Sequence, residues 1–288
     1  MYELLLQPFV DYAFMQRALI GTLLLAAGAG PIGVFLMLRR MSLAGDAMAH
    51  AILPGAAIGY LLFGLAILPM TIGGLVAGLV VALGAGAVSR FTIQNEDASM
   101  AAFYLISLAF GVLIVSLRGS SVDLMHVLFG TVLALDTTAL GLIAAITIFT
   151  LVTLLIFWRG LIAECLDPLF LRSVSKIGTL VHFVFLLLVV LNLVSGFQAL
   201  GTLLSVGLMM LPAAAARFWA YRAPSMCVVA VLIGMISGLI GLLISFHFSL
   251  PSGPAIILVA GIFYLVSVLV GKRGVIPSRL RPHRHRIA

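Results

Sequence analysis

Charge is what this sequence has least of. Only 9% of its 288 residues are Asp, Glu, Lys or Arg, where a soluble domain carries about 25%. Too few charges remain to cover a water-facing surface, and 63% of the chain is hydrophobic. That excludes an ordinary soluble enzyme and leaves lipid as the solvent. Cysteine is scarce too. Cys165 and Cys227 stand far apart, forming neither a CxxC motif nor a disulfide framework. The opening MYELLLQPFVDYAF is acidic, unlike a cleavable signal peptide. No GxxxxGK[ST] occurs; the one Gly-Lys, Gly271-Lys272, runs into Arg273. HExxH and GxSxG are missing as well. The chain therefore reads as no enzyme, and any ATPase that drives it is another polypeptide. It has no basic aromatic platform for nucleic acid.

What is present is a series of long apolar runs. A helix needs about 20 apolar residues to cross the hydrocarbon core. Candidate spans are 16–38, 43–64, 67–89, 100–117, 132–157, 177–195, 199–216, 225–246 and 254–271. The fold class is all-α: a polytopic transmembrane helix bundle of eight to nine spans, forming a single domain over 1–288. Nine is favoured, and eight follows if the second span is broken or re-entrant. Two gaps are so short that their neighbours form tight hairpins.

The basic residues set the orientation. Six of the sixteen lie in the tail 272–288 (Lys272, Arg273, Arg279, Arg281, Arg284, Arg286). With that tail cytoplasmic and nine crossings, Arg39, Arg40, Arg90, Arg159, Arg172, Lys176, Arg217 and Arg222 all fall inside. Only Arg17 and Arg118 fall outside, as the positive-inside rule expects. Glycine is plentiful. Gly55-x3-Gly59, Gly74-x3-Gly78 and Gly234-x3-Gly238 mark faces of close helix approach, within the bundle or across a dimer.

Ionisable residues inside spans are costly and are candidates for function. Asp46 and His50 lie four apart, so on a helix they stack on one face. A carboxylate oxygen and an imidazole nitrogen then converge, which suits Zn²⁺, Mn²⁺ or Fe²⁺. The plainer alternative is an Asp–His hydrogen bond at a helix start near the interface. Two ligands do not close a site, but incomplete coordination suits an ion that must leave. His182 and Asn192 share one face of the sixth span, and His247 sits at the outer end of the eighth. Asp123 and His126 occupy an outer connection. His283 and His285 stand among arginines that repel cations and fit an anionic-lipid contact better. No acidic residue falls in any expected span after residue 160, which weighs against a secondary transporter with inverted halves.

Arg40-Met41-Ser42-Leu43, Gly45-Asp46-Ala47, His50-Ala51 and Leu53-Pro54-Gly55 together resemble the signature of the manganese/zinc/iron ABC transporter permeases, the metal-type ABC-3 family. Four further stretches are similar to that family in the same order: Glu96-Asp97-Ala98-Ser99; Asp123 through Gly130; Gly201-Thr202-Leu203-Leu204 with Leu211-Pro212-Ala213 to Arg217; and Ser249 through Pro254. The resemblance implies a permease subunit of an ATP-driven importer of divalent transition metals in a prokaryotic plasma membrane. It implies cytosolic ABC ATPase subunits, an extracytoplasmic metal-binding protein and a second permease copy as partners. The metal is cargo; no cofactor is bound permanently. Asp46 and His50 match the family's intramembrane metal-pathway residues. The cytoplasmic loop 158–176 matches its coupling segment, with Asp167, Pro168 and Arg172 facing the ATPase and Asp167-Pro168 placed to start a short helix. The loop departs from the pattern at Leu169, where an acidic residue is expected, and over Leu171–Ser175. The alternatives are a permease for a larger ligand, such as a vitamin or siderophore, and an ATP-independent metal transporter.

Overall fold

The computed structural model describes residues 7–41, 43–64, 66–116, 135–167 and 177–276. Arg118, Asp123, His126, Pro168, Arg172, His283 and His285 lie outside the described residues. Among those described the chain is helical, without strands. A one-turn helix, Gln7–Asp11, precedes nine longer ones: α1 Ala13–Leu38, α2 Ala44–Phe63, α3 Ile67–Phe91, α4 Glu96–Ser116, α5 Thr137–Leu166, α6 Ile177–Leu200, α7 Thr202–Ala216, α8 Ala223–Phe248 and α9 Ser252–Val270. Eight are long and apolar enough to cross a membrane; α7, at 15 residues, is shorter. At 1.5 Å per residue α7 reaches only about 22 Å, short of a bilayer core of about 30 Å.

The second span is not broken: α2 is one continuous helix with Pro54 inside it, long and apolar enough to cross a membrane. The expected cytoplasmic loop 158–176 needs a correction. Trp158 to Leu166 continue α5, and the helix ends only at Asp167, because the apolar run Leu161-Ile162-Ala163 keeps its helical contacts beyond Arg159. At the other end of α5, the Asp136 carboxylate caps the helix by accepting from the Ala139 amide at 2.7 Å.

α1 is the central pillar. It packs against α5, α6, α7 and α8, and its residues Gly28 to Leu36 are all buried. Gly33 makes the approach of α7 possible, since a Cβ there would lie 1.9 Å from the Met209 carbonyl oxygen. The glycine pairs face inward too. A Cβ on Gly55 would meet the Gly73 carbonyl at 1.9 Å, and one on Gly238 would meet Thr22 Cγ2 at 2.5 Å. These motifs therefore close seams within this bundle: α2 on α3, and α8 on α1. α6 turns into α7 at Gly201, whose φ of 88° favours glycine. Ser205 then faces Gly196 across the hairpin.

Midway along the bundle, Asn192 donates through Nδ2 to Thr150 Oγ1 and to the Leu188 carbonyl, both at 2.8 Å. Thr147 donates to the Leu24 carbonyl at 3.1 Å. α4 stands at the periphery, packed chiefly on α2 and α3 among the described residues. Cys165 and Cys227 both lie in helices, and both are free thiols.

Candidate metal-pathway site

Asp46 and His50 sit on the first two turns of α2. The i, i+4 spacing places His50 Nε2 3.7 Å from Asp46 Oδ1. That is too long for a hydrogen bond. Two donors about 2.1 Å from a shared ion and 3.7 Å apart would subtend an angle of about 120° at it. The pair is open to an ion between its donors, and the plainer reading, an Asp–His hydrogen bond, is not made.

The pair faces out of its own bundle. The Asp46 side chain is 66% exposed and that of His50 38%. Leu53, Ala57 and Tyr60 continue the same face of α2 and are half-buried. An Asp facing lipid costs up to about 2.5–3.5 kcal/mol where a span is deepest, and less in a first turn such as that of Asp46. Such a side chain belongs on an aqueous path or against another protein surface.

Its depth follows from α4. Ser107 Oγ donates to the Ala51 carbonyl at 3.1 Å, and the Tyr104 ring lies 6.3 Å from the His50 ring. Tyr104 is about 12 Å along the axis from the start of α4. α2 thus begins inside the bundle, and His50 stands well inside the apolar layer.

Proline adds a feature. Pro54 has no N–H, so the helical bond from residue 54 to the His50 carbonyl is not made. His50 Nδ1 is buried and meets no hydrogen-bond partner among the described residues. Within those residues no three His, Cys, Asp or Glu side chains gather into a metal cage.

The structure contains a second polar centre that sequence reasoning missed. Arg39 follows α1, Arg90 is in the last turn of α3, Glu164 is in the last turn of α5, and His182 is near the start of α6. Their side chains are 6%, 4%, 1% and 1% exposed. Arg90 Nη2 donates to Glu164 Oε1 at 2.7 Å, and Nη1 donates to Thr179 Oγ1 at 2.9 Å. Arg39 Nη2 lies 3.7 Å from the same carboxylate oxygen and also contacts His182 Nδ1. An arginine only donates, so that nitrogen accepts. Arg39 lies over the Phe185 ring, 4.9 Å from its centroid.

Four helix ends therefore meet at one end of the bundle, as alternating crossings demand. Glu164 also corrects the expectation that no acidic residue falls in a span after residue 160: it is a buried carboxylate within α5. Of the other polar residues, His182 and Asn192 are buried and His247 is exposed, its Nδ1 2.9 Å from the Leu243 carbonyl. Asp167 is exposed at the C-terminus of α5.

The model of the ABC 3 transport family matches residues 11–271. The chain belongs to that family. As an ABC 3 member it is the kind of metal-type permease that its motifs resemble. It is 34% identical over 277 residues to the manganese transport system membrane protein MntC of Halalkalibacterium halodurans, covering 96% of this chain and 94% of the relative. It is 30% identical to the chelated iron transport system membrane protein YfeD of Yersinia pestis, covering 93% and 89%. Among solved structures, PsaBC from Streptococcus pneumoniae in complex with Fab superposes with a TM-score of 0.81 at 31% identity, covering 93% of this chain and 95% of that one. This ABC 3 chain therefore matches these proteins nearly end to end, as a multi-pass membrane protein.

Proposed function

We propose that the chain is the permease subunit of an ATP-driven importer of divalent transition metal ions, with Mn²⁺ the first cargo to test and Fe²⁺ the second. The observation that carries this reading is the outward-facing Asp46–His50 pair on α2, inside an otherwise apolar layer. The manganese in the name of MntC and the iron in that of YfeD favour those two ions. Zn²⁺ suits the same donors.

A second copy of the chain completes the path. Asp46 and His50 are two donors on one face of α2, and the same face of a second copy would bring the number to four. Stripping water from a divalent ion is very unfavourable in an apolar medium; the Asp46 carboxylate offsets part of that cost. The open geometry lets the ion leave again.

The basic end, with Arg39, Arg40, Arg90, Arg217, Arg222, Lys272 and Arg273, faces the cytoplasm of a prokaryotic cell. There Asp167, Pro168 and Arg172 meet a separate ABC ATPase. An extracytoplasmic binding protein delivers metal at the opposite end.

Proteoliposomes containing the chain, its ATPase and its binding protein test the reading. ATP-dependent Mn²⁺ uptake that disappears in Asp46→Ala is expected. Uptake without ATP would replace the reading with a secondary transporter, and no uptake of any metal would replace it with a permease for a larger ligand.

A further inference from the structure

The buried charges at the basic end lie between the segment that leaves α5 and the helix that carries Asp46. Glu164 is three residues before Asp167, beyond which 168–176 begins. Arg39 is the first residue after α1 and seven before Asp46. The connection between them is short and braced. Arg39 N donates to the Phe35 carbonyl and Met41 N to the Leu36 carbonyl, both at 2.9 Å. Arg40 takes a positive φ of 61°. A displacement of Arg39 therefore has little slack to absorb it before α2.

Among the described residues, Glu164 is the carboxylate that faces both arginines. Arg39 and Arg90 both face Glu164 Oε1, while Oε2 and Arg39 Nη1 are buried with no hydrogen-bond partner among the described residues. His182 on α6 and Arg39 on α1 face each other, and Phe183 and Phe185 of α6 pack under the two guanidinium groups. Buried charges that share one counter-charge cannot separate singly without leaving a charge unpaired. The four helix ends thus shift together or not at all, a property an apolar contact lacks because side chains can slide.

We propose that Glu164 is a positioning residue for ion passage: it delivers movement of the C-terminal end of α5, through Arg39 and the turn that follows α1, to Asp46 and His50. The proposal rests on the reading of the chain as an ATP-driven permease. Glu164 does not touch the ion.

The test uses the complete transporter in proteoliposomes, with Mn²⁺ as probe, and measures ATP hydrolysis and uptake in the wild type, Glu164→Gln and Glu164→Asp. Glu164→Gln is expected to keep ATP hydrolysis within about twofold and lose uptake by about tenfold or more, so ions moved per ATP fall. Glu164→Asp is expected to recover much of that ratio. Hydrolysis and uptake falling in proportion, with the ratio unchanged, would mark a static clamp and overturn the proposal.

Amide hydrogen exchange over residues 43–50, with and without a non-hydrolysable ATP analogue, reads the same link independently of cargo. Nucleotide dependence is expected in the wild type and lost in Glu164→Gln; its persistence in the variant, or its absence from the wild type, overturns the proposal. If the wild type moves no Mn²⁺ but exchange still responds through Glu164, the cargo is wrong and the link stands. Should Glu164→Gln fail to assemble, Arg39→Lys keeps the charge, loses the planar fork, and carries the same readouts.

Discussion

Gly55→Ala tests whether the α2–α3 seam is closed by backbone contact. A Cβ on Gly55 falls 1.9 Å from the Gly73 carbonyl oxygen and 2.7 Å from Ala77 Cβ. Neither neighbour is a flexible side-chain end, so relief requires the two helices to part by about 1.5 Å. Overpacking of this kind costs about 1–3 kcal/mol. The helix preference of Ala over Gly returns at most about 1 kcal/mol. The balance is a loss of up to about 2 kcal/mol, which in a chain of this length lowers the apparent melting temperature by up to about 3–4 °C. The matched control is Gly141→Ala on α5, where a Cβ meets nothing within 4 Å. That variant keeps the propensity gain without the clash and should match or exceed the wild type. Thermal unfolding of the purified protein in nanodiscs measures both. Gly55→Ala melting with or above Gly141→Ala would refute the reasoning that the seam is closed by backbone contact.

Arg90→Ala removes the 2.7 Å partner of a carboxylate that is 1% exposed; it should cost about 3–5 kcal/mol and sharply lower the folded yield from membranes. Arg222→Ala, at an exposed position, should change stability by less than about 0.5 kcal/mol in the same assay. Pro54→Ala restores the N–H that bonds the His50 carbonyl. It is expected to hold or raise the melting temperature while slowing Mn²⁺ uptake, and unchanged uptake would show that the unbonded carbonyl plays no part in the path.

Much of the fold was legible because lipid imposes a length on apolar runs. The spans read at 43–64 and 67–89 agree closely with α2 at Ala44–Phe63 and α3 at Ile67–Phe91. Composition failed at two places where polarity and helicity part company. Trp158-Arg159-Gly160 reads as a loop entry, yet α5 continues to Leu166. The seventh span, read at 199–216, begins at Thr202, because Gly201 interrupts the helix.

At the site, the i, i+4 rule placed Asp46 beside His50 correctly. Their outward aim was not readable, because it depends on which face of α2 is covered by α3 and α4. Glu164 was missed for a related reason. Its partners are 125 residues before it, 74 before it and 18 after it, a convergence that tertiary structure alone creates. The available signal was a single carboxylate flanked by Leu161-Ile162-Ala163 and Cys165-Leu166, which invites the question of what neutralises it.

The central claim is that Asp46 and His50 form the intramembrane path for a divalent metal. The most direct measurement is ATP-dependent Mn²⁺ uptake into proteoliposomes holding the full transporter, comparing the wild type with Asp46→Ala and His50→Ala at matched amounts of inserted protein. The account predicts ATP-dependent uptake by the wild type and its loss in both variants. Normal uptake by both variants would contradict it.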